Sequence, residues 1–568
     1  MSVFYDIKRT RAQESSAAIE RLYVTMRHLF NRGFYKPMGI SGDALREDLL
    51  LLSPEIYGSM KTNKVELKGL LYVIERLPIG IEQCRFINLI SDEGYSKSHF
   101  IPIVPTKRKR NCYRIDEEQI NIEITRGRSD IYDILTHLTF MFIESHKIKD
   151  FILLDPTEGV ISKDWKRIEQ VVSGKELLTE EGREQIIANL SNILGRTFIE
   201  ILEVYHLFGS HDKPDRFVEI IYWLGKLAIE EVVDNNKRVI TFSPILRERL
   251  GHHIYGEKWA NNIKQILFEN KLIERPIHIV SANMHSVMNT LFAQKALTDD
   301  LPKVDLELYE MLSDSQNKHL RKKVIDTALE NGMFTVLDTS GTNIDVQIFD
   351  VSKVDLSDFG IQKADNQKNP VLIVMDYAFG EQAYETIDEL LKPFQKGNER
   401  IFLDVQSISI MGKAGILEGK KGDIMIPSSH INEGTGDNYP FENQLSVKDF
   451  ENQGVEVYSG SMITVLGTSL QNKDLLDFFH KSTWAAIGLE MEGAYYQKAI
   501  QSASRIRKSI PSEVKVRYAY YASDNPLETG STLASGSLGK LGVKPTYLIT
   551  KKILEQIFHQ SRNESSSF

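Results

Sequence analysis

The feature that most constrains this fold is a series of short strands, apolar on both faces, that alternates with helices from about Gly332 onward. Examples are VLIVMDY at 371–377, RIFLDVQSISIMG at 400–412 and VRYAYYASD at 516–524. Strands of this kind, separated by helices, are typical of a largely parallel sheet that is covered on both sides. The sequence therefore predicts an α/β domain whose mixed, largely parallel sheet is flanked by helices.

The first 335 residues have a different pattern, because their apolar residues recur at the three- and four-residue spacing of amphipathic helices. Only 100–104 and 120–124 have the β-branched content of strands. At 277–280 an apolar run ends in a small polar turn before a helix, where either a ligand binds or Ser281 caps the helix.

We therefore predict three regions of the chain. Residues 1–335 form a mainly helical region of unknown role, with one or two subdomains. Residues 336–562 form the α/β domain, and residues 563–568 form a frayed tail.

Composition excludes several classes of protein. Against 78 Asp and Glu there are 69 Lys and Arg, a net charge of −9 that argues against a dedicated nucleic-acid binder. Cys84 and Cys112 are too few for a disulfide framework and are not spaced as a zinc site. No stretch reaches the roughly 18 apolar residues of a membrane span. These features predict a cytoplasmic protein without a membrane or nucleic-acid partner.

The first segment with candidate chemistry is a glycine turn, S-I-M-G-K-A-G-I-L, which is followed by K-K-G-D-I. Gly412 and Gly415 flank Ala414 and leave backbone N–H groups accessible to a ligand. Lys413 lies inside the turn. A simple strand-to-loop turn would use the same two glycines.

The second segment, I-G-L-E-M-E-G-A-Y-Y, places Glu490 and Glu492 on one side of an extended chain and Met491 on the other. A carboxylate can accept two hydrogen bonds from a vicinal diol such as the 2′- and 3′-hydroxyls of ribose. The alternative is a pair of surface acids in a solvated turn.

The third segment, V-R-Y-A-Y-Y-A-S-D-N-P, ends a strand in Ser523 and Asp524. Open α/β sheets present ligands at this position. An Asp before Asn-Pro is also a common turn.

In order and spacing, these segments resemble the nucleoside phosphorylase/nucleosidase superfamily, whose members cleave the N-glycosidic bond of nucleosides. The glycine turn is similar to the family's G-x-A-G-x-L…K-x-G-D-I-V, L-E-M-E-G to its V-E-M-E-A, and A-S-D-N-P to its S-D segment. S-D-N-P-L-E-T-G, with G-S-M-I-T-V upstream, looks particularly like AMP nucleosidases. The resemblance covers roughly residues 365–560 and implies a purine nucleoside phosphorylase-like fold and a homo-oligomer.

The resemblance also implies residue roles. Glu492 would bind the ribose hydroxyls, with Met491 against the sugar, and Asp524 would be the general acid that protonates purine N7. An aspartic acid holds such a proton near neutral pH only where burial raises its pKa. The other substrate-binding candidates are Glu490, Ser523, Gly412, Lys413, Ala414, Gly415, Ser461 and Met462.

The chain departs from phosphorolytic members, which hold inorganic phosphate with Arg near the first strand and before the glycine turn. Residues 377–385 and 406–411 contain no Arg, and Arg supplies the bidentate contact that phosphate needs. Water is therefore the expected nucleophile. Glu381 would activate it, although a surface Glu at a helix N-terminus is an equally natural interpretation.

We expect a purine nucleosidase that acts on AMP or a related nucleotide or nucleoside, with neither a metal nor a cofactor. Candidate cations for a 5′-phosphate are Lys413, the basic run 107–110, and Arg126 and Arg128, although a run of charges is more often a solvated face. The alternatives are a phosphate-dependent nucleoside phosphorylase and a non-catalytic nucleotide sensor on the same fold.

Overall fold

The chain forms two compact units in a computed structural model that describes residues 10–105, 107–175, 178–298, 305–359, 369–528 and 538–563. The first unit comprises residues 1–251 and 469–475, and the second comprises residues 252–468 and 476–568. Of the predicted tail, Asn563 ends the last helix, and residues 564–568 lie outside the described part of the chain. In that part, no helix is both long and apolar enough to span a bilayer.

Five of the nine helices described in the first unit begin at a side chain that accepts a hydrogen bond from a backbone N–H of the first turn. Thr10 and Thr197 each form a capping box with the residue three positions later, which fixes the start of two helices. The helices are α1 (Arg11–Arg32), α2 (Asp43–Leu52), α3 (Leu67–Ile74), α4 (Gly127–Ile152), α5 (Lys163–Val172), α6 (Glu180–Leu194), α7 (Phe198–Phe208), α8 (Arg216–Val233) and α9 (Pro244–Arg249).

Helices predominate in the first unit, which also contains more strands than the two that the sequence predicts. They are β1 (Phe34–Tyr35), β2 (Phe86–Ile90), β3 (Pro102–Ile103), β4 (Cys112–Arg114), β5 (Gln119–Glu123), β6 (Leu153–Asp155), β7 (Val160–Ile161) and β8 (Val239–Phe242). A sheet in the order β1-β8-β2-β5-β4-β3 has β8, β2 and β5 parallel at its centre. Short apolar runs such as β2 and β8 cannot be told from buried helix by periodicity.

The second unit places helices around one large sheet. The helices are α10 (Ile254–Glu269), α11 (Met284–Ala296), α12 (Asp305–Ser313), α13 (Lys318–Glu330), α14 (Gln382–Leu390), α15 (Lys473–Lys481, which begins in the segment grouped with the first unit), α16 (Gly493–Gln501) and α17 (Val543–Asn563). The strands are β9 (Ile277–Ser281), β10 (Met333–Val336), β11 (Val346–Asp350), β12 (Val371–Met375), β13 (Phe394–Lys396), β14 (Glu399–Ile401), β15 (Val405–Ile416), β16 (Ile424–Asn432), β17 (Asn438–Pro440), β18 (Val457–Thr464), β19 (Ala486–Glu490) and β20 (Lys515–Asp524).

The predicted mixed α/β architecture is confirmed in this unit. Strands β12, β9, β15 and β20 run parallel to one another, whereas β10 and β11 add antiparallel pairs at one edge. All five residues of β9 and of β12 are buried, as expected for strands with helices on both faces.

The two compact units divide at 251/252, whereas the sequence predicts a boundary at 335/336. Strand β9 lies between β12 and β15 in the sheet, so residues before 336 supply a central strand of the α/β unit. In the sequence, the helices α11, α12 and α13 lie between β9 and its partner strands β12 and β15. Strand β9 therefore looks like part of the N-terminal helical region.

Five strands close into a ring that positions the candidate site. Around the ring, β15 pairs with β20, β20 with β16, β16 with β18, β18 with β19, and β19 again with β15. The interior is filled by buried side chains that include His430, Met462, Tyr518 and Tyr520. The ring is therefore a packed core, and ligands have access only to its ends and outer faces.

Candidate active site

The candidate site forms where β15, β20 and β19 end. The prediction of a glycine turn is wrong, because Gly412 to Gly415 lie within strand β15. There Gly415 pairs with Asp524 of β20 on one side and with Leu489 of β19 on the other. Leu489 is followed directly by Glu490, Met491 and Glu492. The three segments that are far apart in the sequence are thus neighbours at one end of the ring.

A β-bulge sets the direction of Asp524. Ala414 pairs with Ala522, but Gly415 pairs with Asp524, so Ser523 is an extra residue in β20. The Ser523 hydroxyl lies 3.0 Å from the carbonyl oxygen of Ala414 and also contacts the Asp524 carboxyl. Asp524 is fully buried, and removal from water favours the protonated form of a carboxyl.

Glu490 holds the start of α16. Its carboxylate accepts hydrogen bonds from the backbone N–H of Glu492, at 2.5 Å, and of Gly493. The Thr464 hydroxyl donates to the other oxygen at 2.5 Å. Burial, reinforced by the charge of Glu492, raises the pKa of Glu490 to about 8. The sequence pattern places Glu490 and Glu492 on one side of the chain. Of these two acids, Glu490 is the one that binds the backbone N–H groups at the start of α16.

Glu492 lies at the N-cap position of α16 and meets the loop after β12. The backbone N–H of Gly380 donates to Glu492 Oε1 at 2.9 Å. Glu381 follows directly and occupies the N-cap position of α14, with a half-buried side chain. The structure therefore brings the loop that carries Glu381 to the carboxylate of Glu492.

Tyr496 belongs to the same group, although the sequence analysis does not single it out. Its hydroxyl lies 3.0 Å from Ser281 Oγ and accepts a hydrogen bond from the backbone N–H of Ala378. Burial raises the pKa of Tyr496, so the hydroxyl stays neutral. Its position four residues after Glu492, on the same helical face, is the signal that could have identified it.

The turn after β9 lies beside these residues. Ser281 bonds to Tyr496, and the cap of α11 is instead Asn283, whose side chain accepts from the N–H of His285 at 3.0 Å. The interpretation of Ser281 as the helix cap is therefore wrong. The strand, turn and helix themselves are as predicted.

Met462 points into the ring, whereas Ser461, the preceding residue of β18, is half-buried and points to the opposite face of the strand. Met462 is fully buried, and its sulfur packs against Gly488. Ser461 accepts a hydrogen bond from the Ser429 hydroxyl at 3.0 Å. They precede Thr464, the residue of β18 that pairs with Glu490, by two and three positions.

Gly493 explains the departure from the V-E-M-E-A pattern. A Cβ atom at this position would lie 2.2 Å from Cδ2 of His430 and 2.8 Å from Glu490 Oε1. His430 is fully buried, bonds to the Tyr520 hydroxyl at 3.1 Å, and has its pKa lowered to about 3 by burial. The neutral imidazole occupies the space that an alanine methyl would need.

Of the cationic candidates, Lys413 is the one in the C-terminal part of β15, and its side chain is exposed. The others belong to the first unit. There Arg110 is fully buried and bonds to Asp130 at 2.9 Å and to Asp133 at 2.6 Å. That arginine stabilises the N-terminal part of α4.

One cluster has the side chains of a metal site: His253, Asp388 and Glu389, whose ligand atoms lie within 4.8 Å of one another. Arg507 lies 2.6 Å from Asp388, and Lys392 lies 2.5 Å from Glu389. Because these cations already pair with the carboxylates, we do not assign a metal to this cluster.

Comparison with known proteins gives a family and a set of structural neighbours. A family described as "Family of unknown function (DUF6909)" matches residues 43–301 and 304–559. No protein of curated function matches the sequence.

Three solved structures are similar to part of the chain. A 5′-methylthioadenosine/S-adenosyl homocysteine nucleosidase from Campylobacter jejuni is 11% identical over 50% of this chain and 98% of its own, with a TM-score of 0.30. A futalosine hydrolase from Helicobacter pylori is 13% identical over 50% and 99%, with a TM-score of 0.29. A uridine phosphorylase from Schistosoma mansoni is 11% identical over 54% and 90%, with a TM-score of 0.30. At these scores, a functional conclusion has to come from the residues of the site.

Proposed function

We propose that this chain, which belongs to the family of unknown function DUF6909, hydrolyses the N-glycosidic bond of a purine nucleoside or nucleotide. The observation that carries the proposal is the pairing of Gly415 with both Asp524 and Leu489. It joins the three segments on which the resemblance to nucleosidases rests.

In the proposed reaction, the bond between C1′ of the ribose and N9 of the purine breaks, and its electron pair passes to the base. Asp524 donates its proton to N7 of the departing purine, which neutralises the charge that develops there. Its burial supports this role, because the donor must be protonated before the reaction.

The sugar passes through an oxocarbenium-like state that water attacks at C1′. Glu492 accepts hydrogen bonds from the 2′- and 3′-hydroxyls and holds the ribose in place. Glu381, in the loop bound to Glu492 through Gly380, takes a proton from the attacking water. The products are the free base and ribose, or ribose 5-phosphate.

The test is the release of free base from AMP, adenosine or methylthioadenosine by the full-length protein, followed by chromatography with and without inorganic phosphate. We expect release that does not require phosphate. Release that occurs only with phosphate would assign a phosphorylase, and tight binding without release from any of the substrates would assign a sensor.

Asp524→Asn should lower the rate of base release at least 100-fold, which is typical of the loss of a general acid. The control is Asp404→Asn, which changes an exposed aspartate just before β15, at the opposite end of this strand from Gly415. Circular dichroism should show both variants folded. An active Asp524→Asn variant would remove this residue from the mechanism.

A further inference from the structure

A cavity of about 590 Å³ lies beside the C-terminal part of β15 in the second unit. The first two turns of α11, the end of α12 with the loop after it, Arg321 of α13, the start of α17, and side chains of β15 and β20 line it. The residues on which the argument depends are Lys413, Tyr521, His285, Asn289 and Arg321.

The cavity is positively charged. Lys413, Arg321 and His285 line it, and no Asp or Glu is found among the described residues of its wall. Arg321 donates to the carbonyl oxygen of Leu312 at 3.0 Å and to that of Asp314, which fixes the loop after α12 without neutralising the guanidinium. Within the described part of the chain, no carboxylate forms an ion pair with Lys413. In a protein with a net charge of −9, such a cavity favours an anionic ligand.

Asn289 provides a second, independent observation. Its side chain is 4% exposed, and one end of the amide donates to the Tyr547 hydroxyl at 2.7 Å. The other end is buried and has no hydrogen-bond partner among the described residues. Buried polar groups are normally satisfied, so this wall is built to receive a polar ligand group.

The cavity and Asp524 share one face of the sheet. Lys413 pairs with Tyr521, and two residues further along β15, roughly 7 Å, Gly415 pairs with Asp524. Paired residues, and residues two apart on one strand, point to the same face. The extra residue Ser523 thus turns Asp524 to the face of Lys413 and Tyr521.

A hydroxyl contact also links the cavity to the loop that carries Glu381. The Tyr377 hydroxyl lies close to Tyr521 and to the backbone of Asn283, both of which line the cavity. Tyr377 begins the loop after β12 that continues to Gly380 and Glu381. A ligand whose base reaches Asp524 can therefore place a second group in the cavity.

We propose that this cavity binds the phosphate group of the substrate, which makes the substrate a purine nucleoside 5′-phosphate rather than an uncharged nucleoside. Lys413 is the specificity-determining residue, with Arg321 adding positive charge and His285 adding a polar ring to the wall. The choice of substrate rests on the proposed function, whereas the binding of the phosphate group can be tested without turnover.

The test is calorimetric binding of AMP, adenosine and inorganic phosphate to the full-length chain carrying Asp524→Asn, which slows turnover. We expect AMP to bind at least tenfold more tightly than adenosine, because the phosphate adds a charge-assisted hydrogen bond. Adding Lys413→Met should abolish that difference, and Lys413→Arg should keep most of it. Lys421→Met changes an exposed lysine in the loop between β15 and β16, outside the cavity wall, and should leave the difference intact.

Equal affinities for AMP and adenosine, or an equal effect of Lys413→Met on both, would overturn the inference. A second result would also overturn the inference. Inorganic phosphate would bind in a Lys413-dependent way, and adenosine would release its base only when phosphate is present, which would assign the cavity to a free phosphate co-substrate. Lys413-dependent binding of AMP by a wild-type protein that releases no adenine would refute the proposed hydrolysis and support the inference.

Discussion

At the scale of single residues, Gly493 makes the sharpest prediction about stability. Gly493→Ala would place Cβ 2.2 Å from Cδ2 and 2.4 Å from Nε2 of His430, a fully buried ring. Overpacking of this kind costs about 1–3 kcal/mol of the free energy of unfolding. Urea unfolding of the variant and the wild type measures the loss.

The control for this prediction is a double-mutant cycle with His430→Ala. Removal of the ring creates the space that the new methyl needs, so the double variant should lose less stability than the sum of the single variants. Additive losses would show that the contact with His430 is not the cause.

The residues of the site differ in how well the sequence predicts them. Gly415 pairs with Asp524 and with Leu489, which stands three residues before Glu492. The roles of these residues remain predictions. The sequence does not distinguish Glu490 from Glu492, because the difference lies in Thr464 and the N–H groups of α16, which only the fold brings together.

At the scale of elements, the start of α16 should make stability depend on pH through Glu490. Its pKa is about 8 in the folded protein, against an ordinary value of 4.5. Between these values the folded state binds a proton that the unfolded state has lost, so this group reduces stability as the pH rises, by up to ~1.4 kcal/mol per pH unit. Glu490→Gln should therefore lose less stability than the wild type between pH 5 and pH 8.

Above about pH 8 the difference between the two proteins should stop growing, because Glu490 is then ionised in both states. Glu442→Gln, a change at an exposed glutamate of the same unit, should follow the wild-type curve. Parallel stability curves for the wild type and Glu490→Gln would contradict the burial argument. Thermal unfolding across the pH range measures all three proteins.

Helices and strands with a clear hydrophobic pattern could be predicted from the sequence, whereas short apolar strands could not. Strands β12, β15 and β20 occur where their apolar runs indicate, and β9 is a strand followed by a helix, as predicted. Strands β2 and β8 were missed, since apolar-rich runs of only five and four residues next to helices do not identify a strand. Pairing partners are a long-range property that none of these patterns contains.

At the scale of the whole molecule, the position of β9 predicts which fragment folds. A fragment of residues 252–568 keeps every described strand of the large sheet. A fragment of residues 336–568 lacks β9 and all but the last residue of β10. Without β9, the edges of β12 and β15 lose their partner, and unpaired apolar edges aggregate.

We expect the longer fragment to be monodisperse or a defined oligomer, with a cooperative unfolding transition, and the shorter one to be insoluble. Size-exclusion chromatography and circular dichroism compare the two. A shorter fragment that unfolds as cooperatively as the longer one would show that β9 is dispensable. The domain boundary was the least predictable feature, because a central strand lies more than 90 residues before its neighbours β12 and β15.

Closure of the ring by β20 has a consequence for synthesis on the ribosome. Strand β20 is the last of the described strands to emerge, and it pairs with both β15 and β16. A nascent chain that ends before residue 515 has an open ring and lacks Asp524, the proposed proton donor. Under the proposed function, prematurely terminated translation products therefore cannot deplete the cellular nucleotide pool, since the same strand completes the core and delivers the acid.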